Sequence, residues 1–473
     1  MRILLINPPY FRCGGLKGVG GAMIPLNLCY LAAYGRQEHP DAQFNILDAE
    51  ANDLCLEEVL SKTNKFKPDL IGITTTTSVF NSIIGLCKLL KESLPNIPIV
   101  LGGPHVSALP ESSLSETGAD FVVIGEGEIT FAELIAALKS NRKDFASIDG
   151  LAFLDQNHNV WRTQPRQLIE DLDVLPFPAR DLVDNKLYSP PPTKRVSLGI
   201  NTMISTSRGC PFNCGFCSFQ VVWGRKTRVR SSQSVVSEIR ECIQKINVTS
   251  INFADEYFTA QKKRVLGICN LLRQEGLIVP WVCSSRAAGL DRETLASMKS
   301  AGCHEISFGV ESGNLEILKL MDKKLDLAEA ERVIRLTQSL GITTHASYVL
   351  GYPGETVETI KDTIRFAKRL NTDVAAFFIA SPLPGSRLYQ EALEKGFVRP
   401  DSTWLDYSLL SNQPSVLETP DLSATTLRHW HRIALRSYYF RPRYFLAKIA
   451  RIRSWHEIVN LLAGLRVFFA IKK

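Results

Sequence analysis

Two successive series of short apolar runs constrain this chain more than any other feature. In residues 1–140, five β-branched runs at 3–7, 44–47, 70–75, 97–101 and 121–124 alternate with helical patterns at 26–36 and 83–94. Five strands joined by crossovers predict an α/β, doubly wound parallel sheet of Rossmann-like form. Residues 145–200 break the rhythm with Leu175-Pro176-Phe177-Pro178 and Ser189-Pro190-Pro191-Pro192 and read as an extended linker. Six further runs follow, at 203–207, 250–254, 281–284, 305–310, 346–350 and 375–379. Spacings of roughly 25–45 residues suit βα units and predict a partial (β/α)6 barrel of the TIM type. The expected divisions are 1–144, 145–200, 201–400 and a small helical region at 401–473. In both kinds of sheet, ligands gather at the carboxyl ends of the strands.

Length agrees with more than one core, since 473 residues exceed what a single core organises. No run of eighteen apolar residues occurs, so no transmembrane helix is expected. The start, MRILLINPPY, reads as a strand and not as a secretion signal. Eleven cysteines without such a signal point to reduced thiols and metal ligation, and to a cytoplasmic protein.

Three of those cysteines stand in Arg208-Gly209-Cys210-Pro211-Phe212-Asn213-Cys214-Gly215-Phe216-Cys217, just after the first barrel run. Random placement would give roughly 0.006 triplets of this spacing, so chance is a poor explanation. Pro, Gly and Asn between the cysteines make a tight loop with little to bury it, which disfavours three ordinary core residues. A structural zinc site closes with four ligands, and no fourth Cys or His stands nearby. Three thiolates can instead hold three irons of a 4Fe-4S cluster, leaving the fourth iron open. Cys242, Cys269, Cys283 and Cys303 fall in helical or strand patterns and read as core.

The spacing, with an aromatic (Phe216) before the last cysteine, resembles the signature of the radical S-adenosylmethionine superfamily. The resemblance implies that Cys210, Cys214 and Cys217 carry the cluster. Its open iron is chelated by the methionine moiety, and electron transfer releases a 5′-deoxyadenosyl radical. Other strand ends match in order. Phe253-Ala254-Asp255-Glu256 resembles the stretch that contacts the methionine amino group, and Arg286 the basic residue for its carboxylate or ribose. Glu311 and Ser312 stand where ribose hydroxyls are bound, and Gly351-Tyr352-Pro353 resembles the segment flanking adenine. A zwitterionic amino acid needs both an acid and a base, and ribose needs buried acceptors. Taken singly, Asp255 and Glu311 could be solvated strand-end acids, and Glu355 a residue at a helix start.

Residues 1–144 resemble the cobalamin-binding domain of one branch of that superfamily. The matching residues are Asn7 and Pro8, Pro25-Leu26-Asn27-Leu28, Gly102-Gly103-Pro104-His105 and Gly125-Glu126-Gly127-Glu128. Gly102 and Gly103 would admit the nucleotide tail, and His105 would lie near the corrin or that tail, or else donate to a backbone carbonyl. The loop after the first strand, Tyr10-Phe11-Arg12-Cys13-Gly14-Gly15, lacks the histidine that coordinates cobalt in many such domains. The resemblance therefore implies a cobalamin whose lower face meets no imidazole.

The branch includes class B methyltransferases and the anaerobic Mg-protoporphyrin monomethyl ester cyclase. The first reading is cobalamin-dependent methylation of an unactivated carbon in a small-molecule substrate. The alternatives are radical cyclisation or rearrangement, and a non-catalytic cobalamin-binding regulator. An electron donor such as flavodoxin or ferredoxin is implied. Residues 428–473 carry eleven Lys/Arg and one acid, so the tail is +10 and the rest −3. The tail is either a helical layer on the barrel with arginines in water or an amphipathic segment on anionic lipid. The second reading favours a lipid, isoprenoid or tetrapyrrole substrate and peripheral membrane contact. No recognition fold accompanies the charge, which disfavours nucleic acid.

Overall fold

The computed structural model describes residues 1–10, 21–142, 144–155, 159–192, 194–408, 414–442 and 444. The first sheet contains β1 (Arg2–Asn7), β2 (Gln43–Asp48), β3 (Leu70–Thr74), β4 (Ile99–Gly102), β5 (Phe121–Val123), β6 (Leu151–Leu154) and β7 (Val160–Arg162). Their order is β2-β1-β3-β4-β5-β6-β7. β1 pairs in parallel with both β2 and β3, so the chain reverses its direction of winding there. Ile3, Leu4, Leu5 and Ile6 are all buried, because helices cover both faces of a parallel sheet. β6 and β7 continue it antiparallel to β5, within a stretch that the prolines made look like linker.

The second sheet contains β8 (Ile200–Ile204), β11 (Val248–Phe253), β12 (Trp281–Arg286), β13 (Cys303–Glu311), β14 (Thr343–Leu350) and β15 (Val374–Ile379). Between β8 and β11 a small antiparallel pair forms from β9 (Ser207–Arg208) and β10 (Arg228–Val229). The six long strands are parallel and consecutive, from β8 at one edge to β15 at the other, as the six runs predicted. Alternate residues such as Ile306 and Phe308 pack outward against the helices in one large core. Five of the helices start on capping side chains: Ser231, Asp291, Asp326, Thr356 and Ser386 each accept a hydrogen bond from an amide in the first turn.

The helix Ala424–Tyr439 lies on β15, with Tyr438 fully buried and His431 Nε2 2.8 Å from the Phe377 carbonyl oxygen. This is the barrel-layer arrangement for the described part of the tail. The lipid reading rests on 458–470, which lie outside the described residues. No helix among the described residues is long and apolar enough to cross a membrane.

Candidate active site

The cysteine loop is enclosed by the β9–β10 pair. Gly209 bends it at φ +84°, where an added Cβ would run into the Lys226 carbonyl oxygen. The Gly215 amide donates to Met321 O at 2.7 Å, and Leu388 N donates to Gly215 O at 2.8 Å. Phe216 packs against the apolar cluster that contains Ile317, Met321, Val349 and Tyr352. The loop is thus fixed from the barrel side by backbone bonds and one aromatic ring.

Cys210, Cys214 and Cys217 are unpaired and half-buried. Burial pushes the Cys210 thiol up and the Cys217 thiol to about 11, with neighbouring cysteines adding to both. Such thiols need a positive metal to become thiolates. Among the described residues no three His, Cys, Asp or Glu side chains converge on one point. A polynuclear cluster, which takes one sulfur per iron, asks for wider spacing than a single ion.

Asp255 and Glu256, adjacent at the end of β11, have different environments. The Asp255 carboxylate accepts from Thr206 N at 2.6 Å, from Ser207 N at 3.0 Å and from Thr206 Oγ1, with Arg264 at 3.8 Å. It therefore ties β11 to the turn that leads into the cysteine loop. Glu256 Oε2 is buried without a partner, and desolvation raises this carboxyl to about 7. Of the pair expected to meet an amino group, Glu256 is the one with acceptor capacity left.

Arg286 lies 3.6 Å over the Phe212 ring, and its Nη2 donates to the carbonyls of Lys323 and Lys324. Glu311 adopts φ +70° and accepts from Lys323 Nζ at 2.8 Å. Ser312 is turned to structure, 3.0 Å from Thr363 Oγ1 and accepting from Asn314 N. Gly351, at φ +86°, accommodates Leu427 of the C-terminal helix, and its amide donates to Glu355. Pro353 lies buried in the turn that follows, and Tyr352 OH is buried without a partner. Lys323 and Tyr352 complete this rim. Tyr352 stood inside a matched segment, whereas nothing around Lys323 marked it.

At the first sheet, Asn7 Nδ2 donates to Asp48 at 2.9 Å and Pro8 is buried. Gly103 takes φ +119°, and a Cβ there would fall on the Thr75 carbonyl oxygen. Among the described residues, a Cβ on Gly102 would meet only Val123, at 4.0 Å, and one on Gly125 only Val222 O, at 3.9 Å, so neither position is crowded by them. His105 is 1% exposed, with Nδ1 3.2 Å from Thr77 Oγ1 and Nε2 without a partner. Its ring lies 3.9 Å from that of Phe80, tilted by 33°, and meets the edge of Trp404 at 4.7 Å, and desolvation lowers its pKa to about 4. It is a neutral imidazole. Of the loop 10–15, all but Tyr10 lies outside the described residues.

Glu126 is not turned to this cradle. It accepts from Arg208 at 2.9 Å, Arg228 at 2.8 Å and Ile169 N at 2.8 Å, while Glu128 takes the other Arg208 nitrogen at 2.5 Å. All four side chains are buried. The first sheet therefore grips the residue two places before Cys210.

With this geometry, comparison with known proteins is specific. Residues 14–135 match the B12 binding domain and residues 204–367 the radical SAM superfamily. The chain is 34% identical to an uncharacterized methyltransferase of Pyrococcus horikoshii, PH0819, over 95% of both chains. It is 32% identical to the anaerobic magnesium-protoporphyrin IX monomethyl ester cyclase of Rubrivivax gelatinosus, over 84% of this chain and 70% of that one. The fold is that of the radical S-adenosylmethionine methyltransferase TsrM from Kitasatospora setae (TM-score 0.70, 19% identity, both chains fully covered). A parallel nucleotide-type sheet joined to a cysteine-bearing half-barrel defines a two-domain radical enzyme. The chain belongs to the cobalamin-binding branch of the radical S-adenosylmethionine family. The free thiols, the orphaned Glu256 oxygen and the open glycine cradle fit the 4Fe-4S cluster, S-adenosylmethionine and cobalamin that this family uses.

Proposed function

We propose that this enzyme transfers a methyl group from S-adenosylmethionine to an unactivated carbon of a small-molecule substrate. The observation that carries the reading is the buried Glu126–Arg208–Glu128 bridge, which joins a cobalamin-type sheet to the cysteine loop. When bound, the cluster supplies the electron that opens the sulfonium, and cobalamin carries the methyl group. Cys210, Cys214 and Cys217 hold the cluster as thiolates. Glu256, poised near neutrality, receives the ligand's ammonium at Oε2. Glu311 accepts from ribose, and Gly351 and Pro353 flank the adenine. Asn7, Pro8, Gly102, Gly103, His105 and Gly125 line the cobalamin cradle.

Radical cyclisation is a second reading, favoured by the similarity to the Rubrivivax cyclase. Anaerobic turnover with methyl-labelled S-adenosylmethionine separates the two: label in the product supports methylation, and an unlabelled, oxidised product supports cyclisation. Failure to release 5′-deoxyadenosine after chemical reduction would leave a cobalamin-binding regulator. The cationic tail supports a lipid, isoprenoid or tetrapyrrole substrate presented at a membrane surface to a cytoplasmic enzyme. A flavodoxin or ferredoxin would supply the electron.

A further inference from the structure

Below the rim, the half-barrel lumen is lined by small polar side chains, where closed barrels are filled by bulky branched ones. Along β13 and β14, Ile306, Phe308, Ala346 and Tyr348 pack outward into the helical core and are fully buried. The alternate residues face the lumen, and Ser307, Gly309, His345 and Ser347 are each partly exposed. Since helices cover the outer side of these strands, that exposure belongs to an open inner side. Ser284 pairs with Ser307 and Ser307 with His345, while Arg286, Gly309 and Ser347 form the layer above. Two residues of strand separate the layers, so His345 lies about 7 Å deeper than Ser347.

The floor of this lumen carries an acid and an imidazole. His345 Nδ1 is buried without a hydrogen-bond partner, and Glu305 Oε1 lies 3.7 Å from it. Ser307 Oγ donates to the same Glu305 oxygen at 3.4 Å. The Glu305 side chain is 3% exposed, and among the described residues His345 is its one ion-pair partner. With Nδ1 buried, the 12% of the His345 side chain that is exposed belongs to its other atoms. An imidazole whose Nδ1 faces a carboxylate keeps its proton there, which leaves Nε2 as an acceptor. The buried carboxylate behind the ring favours a donor that carries positive charge.

We propose that this lumen is the acceptor chamber, that it takes an ammonium-bearing end of the substrate, and that His345 receives that end. Glu305 is the positioning residue that fixes the His345 tautomer. That the guest is the substrate rests on the methyl-transfer reading above. The hydroxyls of Ser284, Ser307 and Ser347 add acceptors along the wall. A guest anchored at His345 needs only a few carbons to reach the strand-end rim.

The test uses reconstituted, anaerobic holoenzyme carrying isotope-labelled histidine, kept oxidised with S-adenosylmethionine bound. The open iron is then occupied, so chelation cannot mimic a response in the lumen. The NMR signal of His345 is identified by its loss in His345→Gln. Propylamine and propionate, matched in length and opposite in charge, are the probes. Propylamine is expected to shift the His345 signal saturably, and propionate to leave it in place. The ring carbons should report the proton on Nδ1 in the parent and on Nε2 in Glu305→Gln, a change that a merely structural carboxylate would not cause. Loss of a charge-assisted hydrogen bond predicts about tenfold weaker propylamine binding in Glu305→Gln. Ser307→Leu fills the chamber and should abolish the propylamine response while equilibrium dialysis still shows S-adenosylmethionine bound. Should it not fold, Ser347→Val serves. A His345 signal that propylamine leaves unmoved, or that propionate moves equally, overturns the proposal, as does an undiminished response in the filled variant. A parent that binds propylamine yet releases no 5′-deoxyadenosine on reduction refutes the methyl-transfer reading and leaves the chamber as an amine-binding site.

Discussion

Arg208 and Glu126 lie 82 residues apart in the chain and 2.9 Å apart in space, both buried. Arg208 opens the cysteine motif and Glu126 follows the last parallel strand of the first sheet. Glu126 keeps a second partner in Arg228, whereas Glu128 among the described residues is paired with Arg208 alone. Removing one partner of a buried pair leaves the other charge uncompensated.

Arg208→Met is therefore expected to destabilise the protein by about 3–5 kcal/mol. A lower guanidinium midpoint of the metal-free chain would show it. Adding Glu128→Gln should recover part of the loss, because it removes the stranded carboxylate. An unchanged midpoint in Arg208→Met would mean that the bridge is solvated in solution.

Much of the fold was legible because buried parallel strands are continuous apolar runs; ten of the eleven expected strands formed where they were placed, and the run 203–207 spans the end of β8 (Ile200–Ile204) and the start of β9 (Ser207–Arg208). β6 and β7 escaped, being four and three residues long, with Trp161 and Arg162 exposed on an edge that carries no alternation. The cysteines were legible because metal spacing is local. The clamp was not, since nothing in Gly125-Glu126-Gly127-Glu128 says that Glu126 turns to an arginine and away from the cradle. Lys323 was invisible for a different reason: it is placed by its neighbours Asp322 and Lys324, both at left-handed φ. The assignments of Asp255 and Ser312 to ligand contact met side chains already committed to the protein.

Alanine at Cys210, Cys214 or Cys217 should each abolish cluster assembly. Three sulfurs holding three irons leave no redundancy, and Cys242, Cys269, Cys283 and Cys303 are buried in the barrel core, apart from this loop. Iron and sulfide counting after reconstitution checks this. A single-alanine variant that retained the parent's iron would remove that cysteine from the ligand set.

Gly103→Ala tests the cradle. The new Cβ would meet the Thr75 carbonyl oxygen in a backbone conformation that L side chains rarely adopt. The turn after β4 must shift, at a cost of about 1–3 kcal/mol. Cobalamin retained through gel filtration is expected to fall sharply while iron content stays at the parent level. Equal loss of both would point to global unfolding, and undiminished cobalamin would move its site elsewhere.

Glu355 gives a pH dependence whose sign can be worked out. Its carboxyl is fully buried, receives the Gly351 amide on one oxygen and has no partner on the other. Desolvation raises its pKa from 4.5 to about 8. Between those values the unfolded chain releases the proton while the folded chain keeps it, so the folded state binds more protons. Stability from this group is thus fully present below pH 4.5 and is lost as pH rises toward 8. Glu355→Gln keeps an acceptor for the Gly351 amide and removes the titration. Urea midpoints measured from pH 5 to 8 should decline less steeply in the variant than in the parent. Parallel slopes would show that water reaches the carboxylate, and that the turn beside Gly351 is open to solvent.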